Sequence, residues 1–224
     1  MSLLTEGSPV QLAVLDYGMG NRRSVEKALQ HIGARVGVTS DVSALREADG
    51  LVVPGVGSFP RAMQRLRELG LDQLLRERVA AGTPVLGVCL GMQLAFERSS
   101  EHGGAPGLGL IAGEVRELQT EGLKLPHIGW SEVTFKASPL IEGLPERCAF
   151  YHVHSFAVLP ARAEDVLGVA EYGSTFVSAV HSGSFYGVQF HPEKSSAAGL
   201  RLLANFARMC AARPALSSAG QAAR

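Results

Sequence analysis

Val85-Leu86-Gly87-Val88-Cys89-Leu90-Gly91-Met92-Gln93 divides into an apolar run, a cysteine between two glycines, and the opening of a helix. Val85 to Val88 is apolar on both faces of an extended chain. Strands of that kind belong to parallel sheets covered by helices on both sides. Leu90 to Arg98 reads as the helix that follows. The glycines permit a sharp turn between strand and helix, which pushes the Cys89 side chain out at the strand end.

The pattern repeats toward the N-terminus. Val10 to Leu15 is a short apolar run, and Asp16 to Asn21 reads as a turn in which Asn21 caps a helix over Ser24 to His31. Ala34 to Val38 and Gly50 to Val53 read as strands, with a short helix over Val42 to Ala48 between them. Pro54-Gly55-Val56-Gly57 reads as a loop. Ser58 then caps helical material that breaks near Gly70 and runs to Ala81. Beyond Gln93 the signal changes. Ser131 to Phe135, Cys148 to Val153, Asp165 to Val169, Phe176 to Val180 and Phe185 to Phe190 are short strands at hairpin-like spacing. Ser195 to Ala211 is a closing amphipathic helix. The expected class is α/β, a mostly parallel sheet flanked by helices with an antiparallel extension in the second half. One domain over residues 10–211 is expected, with loosely ordered ends at 1–9 and 212–224.

Lys plus Arg number 21 and Asp plus Glu 21 among 224 residues, so the net charge is zero. That balance argues against a nucleic-acid binder. A chain of this length buries enough surface to fold without disulfides or metal. Cys89, Cys148 and Cys210 are odd in number and widely spaced, with no CxxC pair, so no disulfide framework or metal motif is expected. A reducing compartment is the default for such a chain. Met1 to Val10 lacks the features of a signal peptide, and the most apolar stretch, Pro84 to Phe96, is too short to span a bilayer. A soluble, cytoplasmic protein without a cofactor or membrane contact is expected.

Cys89 has two readings, a buried structural cysteine and a nucleophile; the flanking glycines and the strand–helix context favour the second. The sulfur would lie at the start of the following helix, whose dipole favours the thiolate. The Leu90 N–H would point where an oxyanion forms. A cysteine nucleophile needs a base, and the base needs an orienting group. Phe190-His191-Pro192-Glu193 supplies both, because residues two apart in an extended chain point to the same side. The order nucleophile, His, acid disfavours an α/β-hydrolase, which runs nucleophile, acid, His. The Pro54–Gly57 loop is either a second backbone donor or a plain turn. Gly18-Met19-Gly20 lacks the third glycine of a dinucleotide fingerprint. His152 and His154 form an HxH with no further ligands for zinc. His127 reads as loop packing, and the arginine-rich segment Arg61 to Arg78 as a solvated face.

Together, Val85 to Gln93 and Gly187-Val188-Gln189-Phe190-His191-Pro192-Glu193 resemble the class I, triad-type glutamine amidotransferases. Five further segments are similar to the subfamily that serves as glutaminase subunit of imidazole glycerol phosphate synthase. They are Leu15 to Asn21, Pro54 to Phe59, Pro126-His127-Ile128-Gly129-Trp130, Tyr151-His152-Val153-His154-Ser155-Phe156 and Lys194-Ser195-Ser196. Ser131 stands where that subfamily usually has Asn, and Ile128 where it often has Met.

The resemblance implies a flavodoxin-like fold and hydrolysis of L-glutamine through a thioester on Cys89, with His191 as base then acid and Glu193 as its orienting group. It implies an oxyanion hole from the Leu90 and Val56 N–H groups. Gly57, Gln93, His154, Ser155 and Phe156 would hold the glutamine. Ammonia would pass to a (βα)8-barrel cyclase subunit that makes imidazole glycerol phosphate and AICAR from PRFAR. Asn21, Tyr151 and Lys194 would lie near that partner. Low activity alone and stimulation by the liganded partner are expected. The alternatives are a glutaminase of the same class serving an anthranilate or nucleotide pathway, a Cys-dependent ester hydrolase, and a non-enzymatic binding protein that keeps the fold.

Overall fold

The computed structural model of the chain describes residues 10–212, so nearly all of both expected loose ends lies outside the described residues. In chain order the first half holds β1 (Gln11–Leu15), α1 (Arg22–His31), β2 (Arg35–Thr39), α2 (Val42–Glu47), β3 (Gly50–Gly55), α3 (Phe59–Glu68), α4 (Leu71–Ala80), β4 (Val85–Cys89) and α5 (Leu90–Gln93). Then follow β5 (Phe96–Ser99), β6 (Ala105–Pro106), β7 (Ile111–Glu117), β8 (His127–Phe135), β9 (Arg147–His154), β10 (Phe156–Pro160), β11 (Val166–Tyr172), β12 (Ser174–Ser182), β13 (Phe185–Val188) and α6 (Ser196–Ala211).

Strands run in the order β2-β1-β3-β4-β13-β12-β10-β7-β5-β6, and β11, β8 and β9 branch from β12. The first five are mutually parallel. From β13 onward most pairings are antiparallel, though β5 and β7 are parallel. The parallel half is buried on both faces because alternate residues serve different helix layers. Leu12, Val14, Val52 and Leu86 pack with Val25 and Leu29 of α1 and Leu203 and Phe206 of α6. Ala13, Leu15, Leu51 and Val53 pack with Met63 and Leu66 of α3 and Leu74 and Leu75 of α4. No helix among the described residues is long and apolar enough to cross a membrane.

Several elements differ from expectation. The helix expected over Leu90 to Arg98 is a single turn, and β5 takes its second half. The chain after β6 competes for that segment's carbonyls. Leu108 N–H donates to Leu94 O (2.8 Å), Leu110 N–H to Ala95 O (2.8 Å) and Gly107 N–H to Glu97 O (2.8 Å). Strand β3 runs on through Pro54 and Gly55, so only Val56 and Gly57 remain loop. A proline at a strand end costs the ladder little. Asn21 and Ser58 occupy helix N-cap positions but neither side chain caps. Glu101 Oε2 accepts the Phe59 N–H instead, at 2.7 Å. Arg78 is buried rather than solvated, and donates to Arg46 O (2.7 Å) and to Ala48 O at the end of α2.

Candidate active site

Three adjacent strand ends converge. In β3 and β4 Gly55 pairs with Cys89, and in β4 and β13 Val88 pairs with Val188. The register therefore sets Val56 and Gly57 on one side of Cys89 and Gln189 to His191 on the other. The carboxyl ends of parallel strands are where α/β sheets place their ligands.

Cys89 has φ 54° and ψ −110°, a conformation that a non-glycine residue holds only when its surroundings enforce it. A Cβ at Gly91 would collide with Val53 O, and one at Gly87 would lie 2.6 Å from Gly91 O. The turn thus passes too close to β3 and to itself for side chains at either glycine. Only one helical turn follows, so the dipole expected to favour the thiolate has little length behind it. Polar groups face the sulfur instead. Gln189 Nε2 donates to Sγ at 3.5 Å, and in the thiol form Sγ donates to Val153 O at 3.7 Å.

His191 Nδ1 lies 2.9 Å from Glu193 Oε1, and both side chains are almost sealed, at 4% and 1% exposure. The pairing differs in detail from the extended one expected. His191 itself is extended, but Pro192 to Lys194 form a 3-10 turn. Ser195 Oγ ties that turn down, donating to His191 O (2.7 Å) and accepting the Tyr151 N–H (3.0 Å). Burial alone would push His191 down. The hydrogen bonds and charges of Cys89 and Glu193 outweigh it and push the ring up to about 10. The contacts with Cys89 and Glu193 thus favour the protonated ring, with Nδ1–H committed to the carboxylate.

A cavity of about 270 Å³ opens onto Cys89. Val56, Gly57, Leu90 and Gln93 line one side, and His154, Ser155, Phe156, His191 and Lys194 another. Every residue expected to hold substrate is therefore on its wall. Neither the Val56 nor the Gly57 N–H is taken by a hydrogen bond among the described residues. Gln93 Nε2 is shared between Phe156 O (3.1 Å) and Gln189 Oε1 (3.0 Å), which aims the Gln189 amide at the sulfur. His154 Nδ1 donates to Phe156 O (2.9 Å), and its buried Nε2 has no partner among the described residues. Burial lowers His154 to about 4, so the ring is neutral and its free nitrogen is an acceptor.

Two residues went unread in the sequence. Gln189 is fully buried against Cys89, although it stands inside a quoted motif. Glu101 is the acidic residue on the cavity wall among the described residues. It reaches the site through a loop more than 40 positions from Val56, and no local pattern marks it. His152 is committed to Phe150 O (3.0 Å) and Ser178 Oγ (2.8 Å), away from the cavity. His127 lies on β8 rather than in a loop, stacked on Tyr172 with ring centres 4.0 Å apart. No three His, Cys, Asp or Glu side chains among the described residues converge as a metal site.

Beside the cavity mouth, Lys194 Nζ lies 5.9 Å from the Tyr151 ring centre, and Trp130 packs edge-on to the same ring at 6.0 Å. Trp130 is 53% exposed and its neighbour Ile128 59%. Asn21 is exposed at the start of α1, and that helix packs on the Pro192–Lys194 turn.

The family model described as glutamine amidotransferase class-I matches residues 13–210. A protein of Aquifex aeolicus named imidazole glycerol phosphate synthase subunit HisH is 48% identical over 201 residues, covering 89% of this chain and 97% of the relative. The protein of the same name from Pseudomonas putida is 49% identical over 203 residues, covering 87% and 95%. Among solved structures, PurLQS from Thermotoga maritima superposes with a TM-score of 0.71 at 17% identity, over 90% of this chain and 99% of that one. That likeness is one of fold.

Proposed function

The chain belongs to the class-I glutamine amidotransferases, and from that premise we propose that it is the glutaminase subunit of imidazole glycerol phosphate synthase. Residues 10–211 act as one amidotransferase domain in the cytoplasm. The observation that carries the reading is the cavity in which Cys89, the His191–Glu193 pair and the Val56 and Gly57 N–H groups, unpaired among the described residues, meet.

The chemistry follows from the groups present. Cys89 Sγ attacks the side-chain amide carbon of L-glutamine, and the carbonyl oxygen becomes an oxyanion that accepts from the Leu90 and Val56 N–H groups. His191, which has taken the Cys89 proton, gives it to the leaving nitrogen, ammonia departs, and a thioester remains on Cys89. His191, now neutral, takes a proton from water, whose oxygen attacks the thioester and releases glutamate. Glu193 holds the ring in one tautomer throughout. Gln93, Gly57, His154, Ser155 and Phe156 shape the substrate pocket, and the Glu101 carboxylate suits the substrate's α-ammonium group.

Ammonia then passes to a (βα)8-barrel cyclase subunit that converts PRFAR to imidazole glycerol phosphate and AICAR. Tyr151, Lys194 and Asn21, with exposed Trp130 and Ile128, form the face that meets it, since large apolar side chains rimmed by polar ones mark such surfaces. The test is the Cys89→Ala protein assembled with the cyclase. Glutamine-dependent synthesis is expected to vanish while synthesis from added ammonia persists. Retained glutamine-dependent synthesis would overturn the assignment.

A further inference from the structure

We propose that Tyr17 is a positioning residue for the glutaminase reaction: its buried hydroxyl fixes the peptide that leads into the Val56 donor. The inference rests on the function proposed above and adds a residue to it. Tyr17 is fully buried, and its Oη donates to Pro54 O at 2.7 Å. The Pro54 carbonyl belongs to the peptide unit of Gly55, directly before Val56. A carbonyl pinned at that distance cannot rotate, so the amide plane it shares with Gly55 is held as well.

The loop beyond needs such a constraint. Gly55 and Gly57 flank Val56, and Gly57 has φ 106°. Two glycines give a short segment wide conformational freedom, and no hydrogen bond among the described residues fixes the Val56 or Gly57 N–H. Packing adds to the hydroxyl's hold. A Cβ at Gly55 would lie 2.7 Å from Tyr17 Oη and 2.9 Å from Leu90 Cβ, so Gly55 is wedged between the phenol and the nucleophile turn. A Cβ at Gly20, three residues past Tyr17, would lie 3.2 Å from Gly55 N. Burial, and then the charge of Cys89, hold the phenol well above its ordinary range, so its proton stays available for donation.

The experiment compares Tyr17→Phe with the unaltered protein in two reactions, with and without the liganded cyclase. Glutamine hydrolysis passes through an oxyanion. Alkylation of Cys89 by iodoacetamide does not. Loss of one oxyanion donor costs on the order of 10² to 10³ in rate, and a loosened donor should cost part of that, about tenfold. The expected result is kcat for glutamine lowered about tenfold, KM little changed, and the alkylation rate unchanged. If Tyr17→Phe does not fold, 4-fluorophenylalanine at position 17 fills the place of the hydroxyl without a donor and carries the same test: the same tenfold loss of kcat is expected, and an unchanged kcat overturns the proposal. Unchanged kcat in Tyr17→Phe overturns the proposal. Equal slowing of hydrolysis and alkylation also overturns it, since the nucleophile turn itself would then be disturbed. An unaltered protein that is alkylated at Cys89 yet releases no glutamate overturns the underlying function instead.

Discussion

At the scale of single residues, Cys89 and Glu193 both favour the protonated form of His191, and burial works against both. Glu193→Gln removes one charge and leaves an amide that can present the wrong group to Nδ1. The ring should then titrate well below about 10. Loss of the orienting carboxylate in a comparable triad costs about 10⁴ in kcat, so a fall of about 10² to 10⁴ is expected for glutamate release followed against pH. An unchanged rate would show that Glu193 does not orient the base. The buried histidines behave in the opposite way. Burial lowers His152 to about 3 and His154 to about 4. Both are neutral in the folded chain and titrate near 6.5 when unfolded. The unfolded state therefore binds more protons, and the stability this gives is full above pH 6.5 and lost as pH falls through 4 toward 3. The loss at pH 5 is about 2 kcal/mol per histidine. Melting curves between pH 7.5 and 4.5 should show it, with a flatter slope for His152→Gln. A melting temperature independent of pH over that range would contradict the burial argument.

At the scale of elements, the strand–turn–helix geometry around Cys89 depends on close backbone approach. Gly91→Ala puts a methyl group into Val53 O on the neighbouring strand. The backbone must shift, at about 1–3 kcal/mol or more, and Cys89 moves with it. Lower melting temperature with loss of glutaminase activity is the expected outcome, and a fully stable, active variant would refute it. The same elements show what the sequence made legible. Strands β1 to β4 and helices α1 to α4 follow from apolar runs punctuated by Gly and Pro, because both faces of that sheet are buried. Cys89, His191 and Glu193 were legible because each sits in a short local motif. The helix expected over Leu90 to Arg98 failed because Leu94, Ala95 and Glu97 give their carbonyls to residues 107–111, a contact that local periodicity does not report. Strands β7 and β10 pair with each other across about 40 residues and were not read. Glu101 and Gln189 escaped for a related reason. Their roles exist only once loop closure and strand register bring them to the sulfur.

At the scale of the whole molecule, the site sits at the carboxyl edge of the parallel strands, and an apolar face stands beside its mouth. Exposed Trp130 against Tyr151 has the composition of an interface anchor, and truncating such an anchor typically costs about 2 kcal/mol or more of binding. Trp130→Ala should weaken cyclase binding by about thirtyfold in a titration, while glutamate release by the isolated subunit stays unchanged. Undiminished binding would move the partner to another face. The family points to glutamine hydrolysis, and the proposed function assigns it to Cys89 with an ammonia acceptor as partner. The most direct measurement is glutamate release from L-glutamine by the protein alone and with the barrel cyclase and its nucleotide ligand. Low release alone, a rise with the liganded cyclase, and none in either condition for Cys89→Ala are expected. Glutamate release that survives Cys89→Ala, or none from the unaltered protein with the liganded cyclase, would contradict it.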